Sequence, residues 1–174
     1  AAHGFAWIAT SVAALEAVSD WLTANAGGSP LDQQVAHLIF AETLGQLVGG
    51  LPMGQNELLR PSDLGVQDAA RALEAASSSV LLADHASTRL AVAQALAEGQ
   101  SPSESFYDAE LDSIRDQFRR FTQAEILPHA HNWHLANDLI PDATVAAMAD
   151  LGTFGVCIPE AFGGLGLSKL VMCV

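Results

Sequence analysis

Apolar residues recur at helical spacing along almost the whole chain, and glycine and proline mark where each run stops. Phe5, Ile8, Val12, Leu15 and Leu22 form one stripe, flanked by Trp7 and Trp21, which predicts an amphipathic helix over residues 1 to about 25. Asn25-Ala-Gly-Gly-Ser-Pro30 stops it. A second helix is expected from about Leu31 to Val48, with Val35, Leu38, Ile39 and Leu47 turned inward, ending at Gly49-Gly50. Residues 51–65, punctuated by Pro52, Gly54, Pro61 and Gly65, read as a long irregular connector. Loops of that length in compact domains are disproportionately functional or serve as covers. Helix resumes near Val66, with a break expected near Asp84 or Ser87. A further segment carries Leu90, Val92 and Leu96 and closes at Gly99.

Gly99-Gln-Ser-Pro-Ser-Glu-Ser105 is short and polar, and marks a domain boundary between residues 1–99 and 105–174. Ser105 and Asp108 have capping-box spacing, and Asp108, Glu110 and Asp112 suit a helix N-terminus. Leu111, Ile114, Phe118 and Phe121 make the inner stripe, with Asp116 and Arg120 expected to pair on the outer face. Pro128 kinks or ends this helix, because it lacks an amide donor and crowds the preceding turn. Pro141 opens the next helix, where Val145, Met148 and Leu151 lead to a left-handed stop at Gly152. Phe154 to Ile158 reads as a short buried extended piece ended by Pro159. In the turn Phe162-Gly-Gly-Leu-Gly-Leu167, Gly163 or Gly164 is expected at positive φ, and Ser168 caps the following helix. The fold class is all-α, with no repeat, low-complexity tract or sustained heptad.

Composition narrows the function classes. Half of the residues are hydrophobic and only 6% aromatic, with alanine prominent, which favours helix. The net charge is −13, with three arginines against eleven acids before Ser105. This argues against nucleic-acid and anionic-membrane partners. Cys157 and Cys173 both sit in apolar sequence, so buried, reduced thiols in a cytoplasmic protein are expected. No apolar run reaches the ~18 to 20 residues that span a bilayer, and the N-terminus, with Glu16 and Asp20 in its pattern, lacks a signal peptide's basic leader. The chain begins without Met inside a helical pattern and stops within the apolar segment Lys169–Val174. The expectation is a piece of a larger polypeptide.

Candidate chemistry is sparse. His129, His131 and His134 are the one cluster with metal character, but 129 and 131 point about 200° apart on a regular helix. Surface histidines around the kink explain them better. Gly163-Gly-Leu-Gly166 invites a phosphate-loop reading, yet it fits neither nucleotide-binding glycine pattern and follows no parallel-sheet pattern. Glu42, Glu57, Glu125 and Glu160 are possible bases without a partnered acid or nucleophile. Arg60 could hold a carboxylate or phosphate, with a structural salt bridge the stronger reading. No catalytic, cofactor-binding or metal-ligating residue is therefore assigned.

The order from Leu151-Gly through Phe154-Gly, Pro159-Glu-Ala-Phe-Gly-Gly-Leu-Gly-Leu-Ser168 resembles the N-terminal helical domain of the acyl-CoA dehydrogenases. Ile114-Arg-Asp-Gln-Phe-Arg-Arg-Phe121, Glu125-Ile-Leu-Pro-His-Ala130, Trp133 and Ile140-Pro-Asp142 extend the resemblance over the last third of the chain. Pro159, Glu160, Phe162, Gly163, Gly164, Gly166 and Leu167 match as a fold signature, not as reacting groups. Phe40 to Pro61 and Ala2 to Thr10 resemble the helical extension of a minority of the family, the bacterial methylsuccinyl-CoA dehydrogenases. The resemblance implies FAD, a short branched acyl-CoA substrate, electron-transfer flavoprotein as acceptor and a homo-oligomer, with α-proton removal by a glutamate and hydride transfer to the flavin. The β-domain, base glutamate and flavin site it implies lie outside these residues. A non-catalytic helical scaffold of the same fold is the alternative.

Overall fold

The computed structural model describes residues 2–25, 27–104 and 109–173. The chain divides into two compact units, Ala1–Phe106 and Tyr107–Val174. Both are helical, and among the described residues the strands amount to one two-residue ladder.

In the first unit, α1 (Ala2–Ala24) and α2 (Pro30–Gly49) form an antiparallel hairpin. Ser29, Pro30 and Asp32 start α2 with a capping box: Asp32 N donates to Ser29 Oγ at 3.1 Å, and Ser29 N donates to Asp32 Oδ2 at 2.8 Å. The deepest face of α2 is Leu31, Ala36, Ala41 and Leu44, while Ile39, expected inward, is exposed. Small side chains let the neighbouring helices approach α2, so its alanines are buried more deeply than its larger residues.

The connector is more ordered than its sequence predicts. Leu51–Pro52 (β1) pairs antiparallel with Leu58–Leu59 (β2), directing Leu51 and Leu59 into the core and Leu58 outward. A 3-10 turn over Pro61–Leu64 follows, closed by Gly65 at φ 71°. Then come α3 (Gln67–Ala76), α4 (Ser78–Leu81) and α5 (His85–Ala97). Asp84 caps α5 through Ser87 N at 3.1 Å, which places the break where the sequence predicts it. Leu90 and Leu96 are nonetheless exposed, because α5 packs on α2 along a different side.

The second unit holds α6 (Ala109–Phe121), α7 (Leu127–Ala136), α8 (Asp142–Asp150) and α9 (Lys169–Cys173). The expected cap at Ser105–Asp108 lies outside the described residues. Between α6 and α7, Thr122–Ile126 widens into a π turn, with Leu127 N donating to Thr122 O. The wider turn accommodates Pro128 without breaking the rod. Asp116 bonds Arg115 Nη2 at 3.3 Å rather than Arg120, correcting the expected pair. Asn137, at φ 56°, ends α7 in a left-handed cap, its amide donating to His134 O.

Candidate functional site

Only the loop from Gly152 to Ser168 carries the specific sequence block, so its geometry decides what that block can do. Gly152 takes φ 88° and stops α8 as predicted. Phe154–Ile158 is not extended: a 3-10 turn covers Thr153–Gly155, and Ile158 N donates back to Gly155 O at 3.1 Å. A five-residue apolar run does not by itself distinguish strand from turn. Glu160–Phe162 makes a second 3-10 turn, and Gly163 closes it at φ 83°.

The loop folds back on itself through its amides. Leu165 N donates to Gly155 O (2.9 Å), Gly166 N to Ile158 O (2.8 Å) and Leu167 N to Val156 O (2.9 Å). Gly164 permits this by lacking a side chain: a Cβ there would lie 2.1 Å from the Ile158 carbonyl oxygen. Gly163 N and Gly164 N are also used, by Glu160 O and Pro159 O. With all five amides from 163 to 167 committed, the turn offers no nest of free donors to a phosphate. Pro159, Glu160 and Phe162 are exposed on its rim.

The remaining sequence candidates stay dispersed. His129, His131 and His134 are exposed on α7, where His129 stacks on Trp133 with ring centroids 5.6 Å apart. Among the described residues, no three His, Cys, Asp or Glu side chains gather as a metal site. Glu42 pairs with Arg89 at 2.8 Å on the surface, while Glu57 and Glu125 are exposed. Arg60 engages through its backbone instead of the expected salt bridge, its amide donating to Asp63 Oδ2 at 2.7 Å. Cys157 is half-buried, its thiol 3.5 Å from Ser168 O, and Cys173 is exposed, so neither is the buried thiol expected.

Asp32 is the polar centre that the sequence reading missed. Its side chain is fully buried, and its Oδ1 and Oδ2 accept from Ser103 N (2.7 Å) and Ser103 Oγ (2.6 Å). Trp21 Nε1 completes the clasp by donating to Ser103 O at 3.1 Å. Burial alone would raise the Asp32 pKa, but the bonds from Ser103 and Ser29 outweigh it and hold it at about 2. The clasp pins the segment leaving α5 to the α1–α2 turn. Its spacing signature, Ser29-x-x-Asp32, was present in the sequence; the bond across 71 positions was not.

This geometry supplies anchoring and turn-making, with no reacting constellation among the described residues. The exposed turn, two helical units and capped hairpin nevertheless have a recognisable origin. Residues 108–174 match the acyl-CoA dehydrogenase N-terminal domain, and that part of the chain is such a domain. Over its whole length the chain is similar to (2S)-methylsuccinyl-CoA dehydrogenase of Cereibacter sphaeroides: 38% identity over 183 aligned positions, covering 100% of this chain and 33% of that protein. Glutaryl-CoA dehydrogenase of Desulfococcus multivorans is 35% identical over 60 residues, which are 34% of this chain and 15% of that enzyme. The chain thus spans about a third of the first relative's length. Among the described residues no helix is long and apolar enough to cross a membrane.

Proposed function

We propose that this chain is the N-terminal part of a flavin-dependent acyl-CoA dehydrogenase acting on a short branched acyl-CoA thioester, with (2S)-methylsuccinyl-CoA to mesaconyl-CoA as the specific reaction. The observation that carries this reading is the similarity along the whole chain, which includes the first hundred residues and not the shared domain alone. Residues 1–99 are then a helical extension and residues 105–174 the helical domain. The protein would be a cytoplasmic homo-oligomer passing electrons to an electron-transfer flavoprotein.

FAD does not fit the residues present. The flavin needs amides or cations for its pyrophosphate, and the glycine-rich amides are internally bonded. No step through the flavin is therefore derived from this chain, and no catalytic residue is assigned to it. Its part is to fold and to present the turn at Pro159–Leu167.

The experiment has two arms. FAD is titrated against the 174-residue chain, with no perturbation of the flavin spectrum expected. A polypeptide extended through a β-domain and a C-terminal helical domain is then purified and given methylsuccinyl-CoA with an artificial electron acceptor. A yellow, active protein is expected. Micromolar flavin binding by the short chain would show that the site has been misplaced, and a colourless, inactive extended protein would favour a helical scaffold.

A further inference from the structure

The first unit contains an apolar cavity that its own helices do not fill. It measures about 150 Å³ and is walled by Ile8 and Val12 of α1, Leu47 of α2, Leu59 of β2, and Val66 and Leu73 beside and on α3. Every residue lining it is apolar. It opens into a wider apolar groove that shares Ile8, Val66 and Ala69 with it and has Phe5 and Leu64 at its rim. The amphipathic helix α3 buries none of its residues, although its apolar side faces this space.

Local geometry limits how far the cavity can close. At Gly4, α1 already meets the hairpin so closely that a Cβ would lie 2.7 Å from Leu59 Cδ1. On the other side α3 is held by α2 and by the 3-10 turn before it. The two helices therefore flank a gap instead of interlocking, and lining atoms forgo part of their dispersion contacts.

We propose that this cavity is a binding site for a small, uncharged hydrocarbon group, of about six carbons. A cavity of ~150 Å³ with an aliphatic lining holds a benzene-sized molecule. The lining has no side chain able to hydrogen-bond, so a polar atom carried inside would lose its hydration uncompensated. The excess of acidic residues in residues 1–104 disfavours an anionic headgroup at the mouth. Selection is by volume and lack of charge. This site is independent of the flavin chemistry proposed above.

Benzene and cyclohexane are the probes, titrated against the 174-residue chain while Ile, Leu and Val methyl resonances are followed by NMR. Saturable shifts centred on Ile8, Val12, Leu47, Val66 and Leu73 are expected, with hexanoate at least tenfold weaker. Ala70→Leu, which adds carbon to the wall, is expected to weaken benzene at least tenfold with helical circular dichroism unchanged. Val12→Ile on the opposite wall provides a milder second variant, expected to weaken cyclohexane more than benzene. The proposal is overturned if neither probe gives saturable shifts, if both folded variants bind like the parent, or if hexanoate binds as tightly as benzene.

Discussion

The two units have similar helix content and very different interiors. The first buries Leu15, Leu31, Ala36, Ala41, Leu44, Leu51 and Leu59 around the Asp32 clasp. Among the described residues of the second, Val156 is the sole buried hydrophobic, while Leu139 is 91% and Phe162 82% exposed. Apolar burial is the main favourable term in folding, at about 25 cal/mol per Å². The first unit therefore draws on a core and a buried polar tie. The second is shaped mainly by caps, a π turn and loop hydrogen bonds, each locally specific and individually small. Helical content alone is a poor guide to where a protein's stability lies.

The strongest challenge to this contrast is Gly164→Val. Its Cβ would collide with the Ile158 carbonyl, so the loop must open, and a loss above ~4 kcal/mol or outright failure of the second unit to fold is expected. Methyl NMR of Val156 and Ile158 reads the loop directly. Next, Leu44→Ala should cost about 3 kcal/mol in urea denaturation, and Phe162→Ala well under 1 kcal/mol. Equal losses would mean that the second unit has a core of its own.

Asp32→Asn sharpens the comparison through pH. The folded pKa lies at about 2, below the ordinary carboxylate value of 3.8, so the clasp's contribution is complete above about pH 4. It fades as pH falls through 2. Thermal melts of the parent should decline over that window, whereas the Asn variant starts lower by roughly 2 kcal/mol and declines less steeply there. A parent and variant with parallel pH curves would remove Asp32 from the account. The smallest effect is expected at Gly163→Ala. A Cβ there meets open space but must accept φ 83°, a cost of roughly 1 kcal/mol measurable by urea titration. A loss as large as that of Gly164→Val would show that crowding, not backbone conformation, governs both positions.

Legibility in the sequence followed the range of the interaction. Gly152 and Gly163 were readable because a left-handed residue at a helix stop or turn strongly favours glycine. The Asp84 break and the bend near Pro128 were likewise local. Phe154–Ile158 was misread because a short apolar run suits a strand or a folded turn, and the carbonyls chosen by Leu165, Gly166 and Leu167 decided it. The Leu51–Leu59 pairing was hidden in a segment rich in breakers. Ser103 was visible as a polar boundary residue, but nothing nearby in the chain identifies its carboxylate partner. The absence of an assigned reacting residue came from lack of partnered spacing, and the fold leaves those candidates apart.

The π turn at Thr122–Ile126 behaves as one extra residue stored inside a rod. An α-helix advances about 100° per residue, so this surplus rotates everything from Leu127 onward relative to the stripe of Leu111, Ile114 and Phe118. It sets the azimuth at which Trp133 and Leu135 emerge. Removing a single residue such as Gln123 would leave a helix of almost the same length whose second half faces a different direction.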